Sequence, residues 1–225
     1  MTTSGTAVWN PDLSDIIEEA YERCGIELRS GYDYRTARRS LNLIVADWAN
    51  RGINLFTIEE GEIDLLQGVK TYSLPADTVD LVEHVIRQYP LTSGQADLTI
   101  NRISVATYST IPNKWNEGRP IQMWVNRQVN NPEVTVWPVP NTTGTYKLIY
   151  WRMRRIEDPG VPASNTMDIP FRFYEALISG LAFKLAIKRA PEKAQMLKAE
   201  YDEAFQLAAD EDRDRAPLRI VPRMM

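Results

Sequence analysis

Apolar residues near both ends of the chain recur every three or four positions, which is the period of an amphipathic helix. Four such segments lie at about residues 10–24, 33–51, 169–189 and 191–209. The apolar stripe of the first segment is Leu13, Ile16, Ile17, Ala20, Tyr21 and Cys24. The pattern therefore predicts four main helices, two before and two after the middle of the chain.

Turn and capping residues indicate where these helices begin and end. Asn10 followed by Pro11 is typical of a helix start, with Asn10 as the N-cap. Gly25 and Gly52 are typical helix ends, and Pro191 separates the last two segments. Because the loop between the first two segments is short, they are predicted to form an antiparallel hairpin.

The third helical segment is apolar around most of its circumference. Such a helix is expected to be buried, either in a bundle or between subunits. Ala176 and Gly180 lie four residues apart and offer a place where another element can approach closely.

In the middle of the chain the period changes to two, as in strands with one buried face. The candidate strands are 55–66, 71–74, 81–89, 98–100, 121–127, 133–137 and 145–153. Ser104 is a candidate cap for a short helical segment between them. Turn residues separate the strands, so this region is expected to form a meander or a small sandwich.

These elements predict an α+β protein: an antiparallel helix bundle of four main helices, an inserted antiparallel β-rich domain and an extended C-terminal arm. The predicted bundle comprises residues 10–52 and 169–210, the β-rich domain residues 53–160, and the arm residues 211–225. The arm contains two prolines and several apolar residues, whereas a free tail in solution is usually more polar. We therefore expect it to dock on a partner subunit, and the alternative is an arm folded back on its own domain.

Composition excludes several functional classes. The 225 residues are 44% hydrophobic and 25% charged, with a formal net charge of -4, so the surface as a whole is not that of a nucleic-acid-binding protein. One cysteine, Cys24, and one histidine, His84, exclude an intrachain disulfide and the usual Cys/His zinc sites. No apolar run is long enough to span a bilayer, and the N-terminus lacks a signal-peptide pattern. The expected location is the cytosol, or a particle assembled there.

No catalytic or cofactor motif is present: the sequence has no Gly-rich phosphate loop, no GxSxG and no HExxH. We therefore predict no enzyme activity, no cofactor and no metal. Cys24 and His84 are interpreted as structural residues. A carboxylate-dependent cell-wall hydrolase stays open as an alternative, because pairs such as Glu59 with Glu60, and Asp210 with Asp212, could be brought together by folding.

A second alternative is nucleic-acid binding through two basic clusters. The first is Arg35, Arg38 and Arg39, on the second predicted helix; the second is Arg152, Arg154 and Arg155, at the end of the last strand. Alternation along a strand places Arg152 and Arg154 on one face and Arg155 on the other, so these three do not form one patch while the strand continues.

One loop in the β-rich region mixes basic and aromatic residues, a combination that is common in protein interfaces. The residues predicted to form this protein interface are Tyr108, Lys114, Trp115, Gly118, Arg119 and Pro120. The residues of the C-terminal arm that are expected to contact its partner are Pro217, Leu218, Arg219, Ile220, Val221, Pro222 and Arg223.

From about Asn10 to Pro222 the order of motifs resembles that of the head-to-tail adaptor proteins of tailed bacteriophages, also called connector, neck or tail accessory proteins. In the second half of the β-rich region the resemblance rests on Ile103-Ser104, Tyr108, Pro112-Asn113-Lys114, Gly118-Arg119-Pro120, Trp124, Arg127, Trp137-Pro138-Val139-Pro140 and Tyr150-Trp151-Arg152. Elsewhere it rests on the spacing of Leu65, Gly68, Tyr72, Leu74 and Pro75, and on the C-terminal run from Arg215 to Arg223.

This resemblance implies a structural protein of the virion neck, assembled in the host cytoplasm. It implies a ring of twelve copies beneath the portal protein, which extends the DNA channel and offers a docking surface to tail nozzle or tailspike proteins. The helices would form the ring body, the C-terminal arm would reach the portal, and the β-rich region would face the tail. The partners it implies are the portal, tail proteins, further copies of the chain and packaged DNA, with no membrane.

Overall fold

The chain folds into two compact units. The structure, a computed structural model, describes residues 3–29, 31–52, 55–89, 96–161 and 164–213. Unit 1 combines the two ends of the chain, Met1–Phe56 and Ile156–Met225, and unit 2 is the continuous segment Thr57–Arg155. Each unit has its own cluster of buried apolar side chains.

Four helices form most of unit 1. They are α1 (Leu13–Cys24), α2 (Gly31–Asn50), α4 (Tyr174–Arg189) and α5 (Ala194–Glu211), where α4 and α5 each follow a single 3-10 turn. The apolar stripe predicted for the first helix is buried throughout. Gly25 ends α1 in the left-handed conformation, with φ of 71°, as its position after the stripe predicted.

The start of α1 differs from the prediction. Asp12, not Asn10, is the N-cap: its carboxylate accepts hydrogen bonds from the backbone N–H groups of Ser14 and Asp15. The Asp15 carboxylate in turn accepts a bond from the Asp12 N–H. This reciprocal capping box satisfies more unpaired N–H groups of the first turn than an Asn-Pro start would, which explains the shift of two residues.

Helix α4 is the central helix of unit 1, since α1, α2 and α5 all pack against it. Its burial on most sides agrees with the apolar circumference read from the sequence. An aromatic cluster fills one end of this core, where Trp48 of α2 lies 5.3 Å from Phe173 and 5.6 Å from Phe205 between ring centroids. The indole Nε1 of Trp48 donates a hydrogen bond to the hydroxyl of Tyr201, so the buried polar groups of both rings are satisfied.

Ten strands and one short helix form the described part of unit 2. The strands are β1 (Ile58–Asp64), β2 (Thr71–Ser73), β3 (Thr78–Gln88), β4 (Ala96–Thr99), β5 (Asn101–Arg102), β6 (Glu117–Gly118), β7 (Gln122–Asn126), β8 (Glu133–Trp137), β9 (Val139–Pro140) and β10 (Tyr146–Arg154). The short helix, α3 (Val105–Ser109), begins after the predicted cap Ser104, whose hydroxyl accepts a bond from the Thr107 N–H.

The strands of unit 2 are arranged in two four-stranded sheets and one two-stranded sheet. The first sheet has the order β1-β10-β3-β4 and is antiparallel throughout. The second has the order β2-β8-β7-β5. Alternate residues of both sheets enter one buried cluster, which includes Ile86 and Leu148 from the first sheet and Met123, Val134 and Val136 from the second.

The predicted fold class, a four-helix bundle with an inserted antiparallel β-rich domain, is wrong. The described residues form a mixed α+β protein with five helices, and two strand pairs are parallel: β5 with β7 and β6 with β9. The alternation of apolar residues predicts that a segment is a strand but carries no information on the direction of its partner. Helix α3 has five residues, too few for a helical stripe to be recognised.

The predicted C-terminal arm lies almost entirely outside the described residues, which end at 213. Its first residue, Glu211, still belongs to α5, and the side chain of Asp212 is buried. The seven predicted portal-binding residues, Pro217 to Arg223, lie outside the described part of the chain. No helix in the described ranges has the length and hydropathy that crossing a membrane requires.

Candidate functional site

The segment from Ser104 to Asn116 lies on the outer side of the second sheet of unit 2. Because Met123 of β7 is directed into the core, Trp124 is directed outwards. Tyr108 of α3 stacks on Trp124 with 5.5 Å between ring centroids. The indole Nε1 of Trp137 donates a hydrogen bond to the Asn113 carbonyl, 3.0 Å away. The two outward-facing indoles thus hold the segment in place.

Two of the predicted interface residues, Tyr108 and Lys114, have structural roles in this segment. The Lys114 ammonium donates hydrogen bonds to the carbonyls of Ser109 and Ile111, at 3.2 and 2.9 Å. It also lies 5.6 Å from the centroid of the Tyr108 ring. Burial raises the pKa of the Tyr108 hydroxyl. Lys114 therefore satisfies carbonyls near the end of α3, where a positive charge is favourable.

The other predicted interface residues differ in their exposure. Gly118 belongs to β6 and pairs with Pro140 of β9, while Pro120 is buried. Arg119 and Trp115 are exposed, and the Trp115 side chain is 63% accessible to solvent. The structure thus leaves these two of the six predicted residues most available for contact with a partner.

Trp115 is the centre of an exposed surface that the sequence only partly predicted. The Lys70 ammonium lies 4.1 Å from the centroid of the Trp115 ring, a cation–π contact. Leu66 and Val69, from the turn before Lys70, are also exposed apolar residues. We call these four residues, Leu66, Val69, Lys70 and Trp115, the Trp115 surface.

Backbone hydrogen bonds to β9 bring the two parts of the Trp115 surface together. The Gly68 N–H donates to the Pro140 carbonyl, and the Val139 N–H donates to the Asn116 carbonyl, at 3.0 and 2.9 Å. The turn that carries Leu66 and the loop that carries Trp115 therefore flank the same short strand. Sequence reasoning missed Lys70 because it is 45 positions away from Trp115, and only strand pairing brings them together.

Two arginines of the basic cluster at the end of β10, Arg152 and Arg154, form ion pairs within unit 2. Arg152 and Arg154 both bind the Glu59 carboxylate, at 2.9 and 2.7 Å, as expected for residues on one face of a strand. Arg152 also binds Asp77 at 2.7 Å, and this hydrogen bond lowers the pKa of the Asp77 carboxyl group. A phosphate would have to compete with these carboxylates, so Arg152 and Arg154 are poor candidates for nucleic-acid contacts.

The second basic cluster, on α2, is different. Arg38 donates a hydrogen bond to the Pro159 carbonyl, but Arg35 and Arg39 are exposed and form no ion pair within the described residues. Lys188 of α4 lies close by, because its ammonium donates to the Ser40 hydroxyl at 2.7 Å. Sequence reasoning missed Lys188 because helix packing alone places α4 beside α2.

Three of the four carboxylates considered for hydrolysis, Glu59, Asp210 and Asp212, are engaged in ion pairs. Glu59 binds the two arginines of β10, and its neighbour Glu60 is directed to the opposite face of β1. The Asp212 carboxylate binds Arg172 and also accepts the Leu55 N–H at 2.8 Å. Neither carboxylate is arranged as a free acid beside a free base, as hydrolysis of a glycosidic bond requires.

Cys24 and His84 occupy structural positions. The Cys24 thiol is buried and donates to the Ala182 carbonyl at 3.1 Å, and burial raises its pKa. A thiol with a raised pKa is a weak nucleophile at neutral pH. His84 lies on β3 opposite Tyr150 of β10, and burial lowers its pKa.

An open cleft of about 800 Å³ lies between the end of α1 and the start of α2. Its described lining includes Glu18, Glu22, Glu27 and Arg29, and the Tyr34 hydroxyl donates to Glu18 across it. The described lining contains no histidine, cysteine or serine. Nowhere in the described ranges do three or more His, Cys, Asp or Glu residues group as a metal site would require.

A comparison with known protein families matches residues 11–221 to the family described as SU10 adaptor protein. The matched range includes both units and extends past the end of α5. A search of curated proteins found no match.

Proposed function

Because the chain belongs to the SU10 adaptor protein family, which consists of structural adaptors of bacteriophages, we propose that it forms a ring between the portal and the tail of a virion. In this role each copy contacts portal and tail proteins, and the ring surrounds the channel through which packaged DNA passes. We propose twelve copies in the ring. The protein then acts by binding its neighbours, and not by catalysis.

The observation that carries this proposal is the family match along residues 11–221, which covers both units. The surface chemistry supports it. Large apolar side chains are exposed on both units, among them Trp9 and Phe171 on unit 1 and Trp115 on unit 2. Exposed groups of this kind are typical of proteins that bury them against partners.

Within this role we propose that the Trp115 surface contacts a tail component. A tryptophan is among the residues that contribute most to binding when a partner covers it, and the cation–π contact with Lys70 already holds the ring in position. Arg119, exposed on the same loop, would add a charged contact at the edge of this surface.

The division into domains is also part of the proposal. The helices of residues 10–52 and 169–210 would build the body of the ring, and the β-rich residues 53–160 would face the tail. The predicted arm, residues 211–225, would reach the portal, with Pro217 to Arg223 as the contacting segment.

The experiment mixes the full-length chain with the portal ring and with the tail proteins of the same phage, separately and together. Electron microscopy and sedimentation then measure which complexes form. We expect extra density beneath the portal, with rotational symmetry, only when this chain is present. Failure of the chain to associate with the portal or any tail protein would refute the adaptor role.

Two variants locate the tail contact. Trp115→Ala should weaken tail binding about tenfold or more, because removal of a central aromatic anchor commonly costs about 2 kcal/mol. Phe171→Ala is the matched control, since it removes an exposed aromatic side chain from unit 1. Equal tail binding by wild type and Trp115→Ala would exclude the Trp115 surface, while the adaptor role would stand.

A further inference from the structure

The solvent-exposed side of α2 combines positive charge with large apolar side chains. Tyr32, Arg35, Arg39 and Leu43 follow one another at intervals of three or four residues, so they lie on the same side of the helix. The side chains of Tyr32 and Leu43 are 63% and 57% exposed. We call these four residues the α2 face.

The solvent-exposed side of α5 has the same arrangement with the opposite charge. Met196, Glu200, Glu203 and Leu207 recur at intervals of four, three and four residues. The side chains of Met196 and Leu207 are 55% and 66% exposed. We call these four residues the α5 face.

The charges of both faces lack partners of opposite sign within the described residues. Ion pairs at α2 and α5 in that part of the chain include Asp47 with Arg51, Asp33 with Arg189, Arg172 with Asp212, and Asp210 with Arg213. None of them includes Arg35, Arg39, Glu200 or Glu203. Each face therefore presents two like charges directly to solvent.

Other cations reinforce the positive charge of the α2 face. Lys188 of α4 lies near Arg39, and its pKa is lowered by burial and then by the positive charges of Arg39, Lys184 and Arg189. In a chain with a formal net charge of -4, such a local excess of positive charge is favourable when a negatively charged surface covers it.

The two faces also match in length. In each, the outer apolar residues are eleven positions apart, which corresponds to about 16 Å along a helix at 1.5 Å per residue. Two charged residues lie between the two apolar residues in both cases. One face can therefore cover the other with apolar residues against apolar residues and with opposite charges in contact.

We propose that the α2 face of one copy packs against the α5 face of the next copy. This inference rests on the proposed ring and specifies its subunit contact. In this contact each copy uses its α2 face towards one neighbour and its α5 face towards the other, which makes the contact heterologous, and repeated contacts of this kind close into a ring when the rotation between copies permits it. The opposite charges fix which side of one copy meets which side of the next.

A charge exchange tests the contact. The double variant Arg35→Glu/Arg39→Glu and the double variant Glu200→Arg/Glu203→Arg should each place like charges opposite one another and abolish oligomers. The quadruple variant, which combines them, should restore oligomers to at least one tenth of the wild-type amount. Native mass spectrometry and sedimentation of the full chain, alone and with the portal ring, measure the oligomers.

Asp202→Arg/Lys198→Glu is the matched control on α5, since both residues are exposed but lie outside the α5 face.

Cysteine cross-linking tests the contact independently of affinity. Leu43→Cys is combined with Leu207→Cys or with Met196→Cys in one chain and oxidised at high concentration. At least one combination should give a ladder of cross-linked oligomers beyond the dimer, whereas a single variant can give dimers only. The native Cys24 is buried and is retained.

Three outcomes would overturn the proposal. The first is a ring that survives both double variants, which would leave the adaptor role intact and place the subunit contact elsewhere. The second is the absence of a ladder from both cysteine combinations. The third is a loss of DNA binding, and not of assembly, in Arg35→Glu/Arg39→Glu, which would identify the α2 face as a phosphate-binding surface.

Discussion

The ring of Tyr201 on α5 lies directly against the backbone of Gly180 on α4. A Cβ atom at Gly180 would lie 2.8 Å from Cε2 of Tyr201, closer than side-chain atoms normally approach. The hydroxyl of the same tyrosine accepts the hydrogen bond from the Trp48 indole. The Tyr201 ring therefore occupies the space that a side chain at Gly180 would fill. Its hydroxyl in turn accepts the hydrogen bond of the buried Trp48 indole.

We predict that Gly180→Ala destabilises unit 1 although alanine favours helices more than glycine does. The helix gains up to about 1 kcal/mol, but displacing the Tyr201 ring in a packed core costs about 1–3 kcal/mol and weakens its bond to Trp48. Urea unfolding followed by far-UV circular dichroism measures the difference. Gly31→Ala is the control, because a Cβ at this residue of α2 meets no atom within 4 Å. An equal response of both variants would contradict the prediction.

A similar contact in unit 2 predicts that Gly61→Ala is destabilising by about 1–3 kcal/mol. Gly61 of β1 pairs with Tyr150 of β10, and a Cβ at Gly61 would lie 2.5 Å from Cζ of this buried tyrosine. Gly118→Ala is the matched control, because its Cβ would meet Pro138 at an ordinary 3.5 Å. Thermal unfolding compares the two. The prediction fails if Gly61→Ala unfolds at the wild-type temperature.

His84 predicts a dependence of stability on pH. Burial, the main cause, lowers its pKa below the ordinary value of 6.5, so the folded protein keeps His84 neutral while the unfolded chain binds a proton. The contribution of neutral His84 to the free energy of unfolding should therefore be fully present above pH 6.5. It should decrease as the pH falls below that value, down to the pKa of His84 in the folded protein. Urea midpoints between pH 7.5 and 5.5 measure this decrease, which His84→Gln should reduce.

Proton NMR provides a direct check of the same prediction. The chain has one histidine, so one imidazole C2 proton reports the titration. A folded-state pKa of 6.5 or above would contradict the expectation, whatever the effect of the substitution on stability.

Asp212→Asn should destabilise unit 1 by about 1.5–3 kcal/mol. The substitution removes the negative charge of a buried carboxylate that pairs with Arg172 and accepts a hydrogen bond from the Leu55 N–H. Asp210→Asn, two residues earlier, is the control. Asp210 is exposed and pairs with Arg213, so its loss should change stability by less than about 0.5 kcal/mol. Chemical denaturation at pH 7 measures the free energy of unfolding of both variants. Similar decreases in the two variants would show that the burial of Asp212 does not strengthen its contribution to stability.

The candidate interface shows how far the sequence predicts a site. Trp115 was recognised because a tryptophan between two basic residues is a local pattern. The roles of Lys114 and Trp137 could not be recognised, because they depend on which carbonyls the folded loop places beside them. Likewise the acidic partners of Arg152 and Arg154 come from β1 and the β2–β3 turn, and only strand pairing reveals them.

The sequence by itself determined the four main helices, the strands of three or more residues to within a few positions, the buried stripe of α1, its end at Gly25 and the burial of α4, because each depends on the spacing of neighbouring residues. It missed the two-residue strands β5, β6 and β9, which are too short to show a period, and residues 55–57 form a 3-10 turn instead of the start of a strand. Tertiary structure alone decided the parallel pairs β5–β7 and β6–β9, the contact of Gly180 with Tyr201, and the sorting of charges into paired arginines and two unpaired helix faces. These features join residues far apart in the chain, and apolar periodicity does not specify which distant segments will meet.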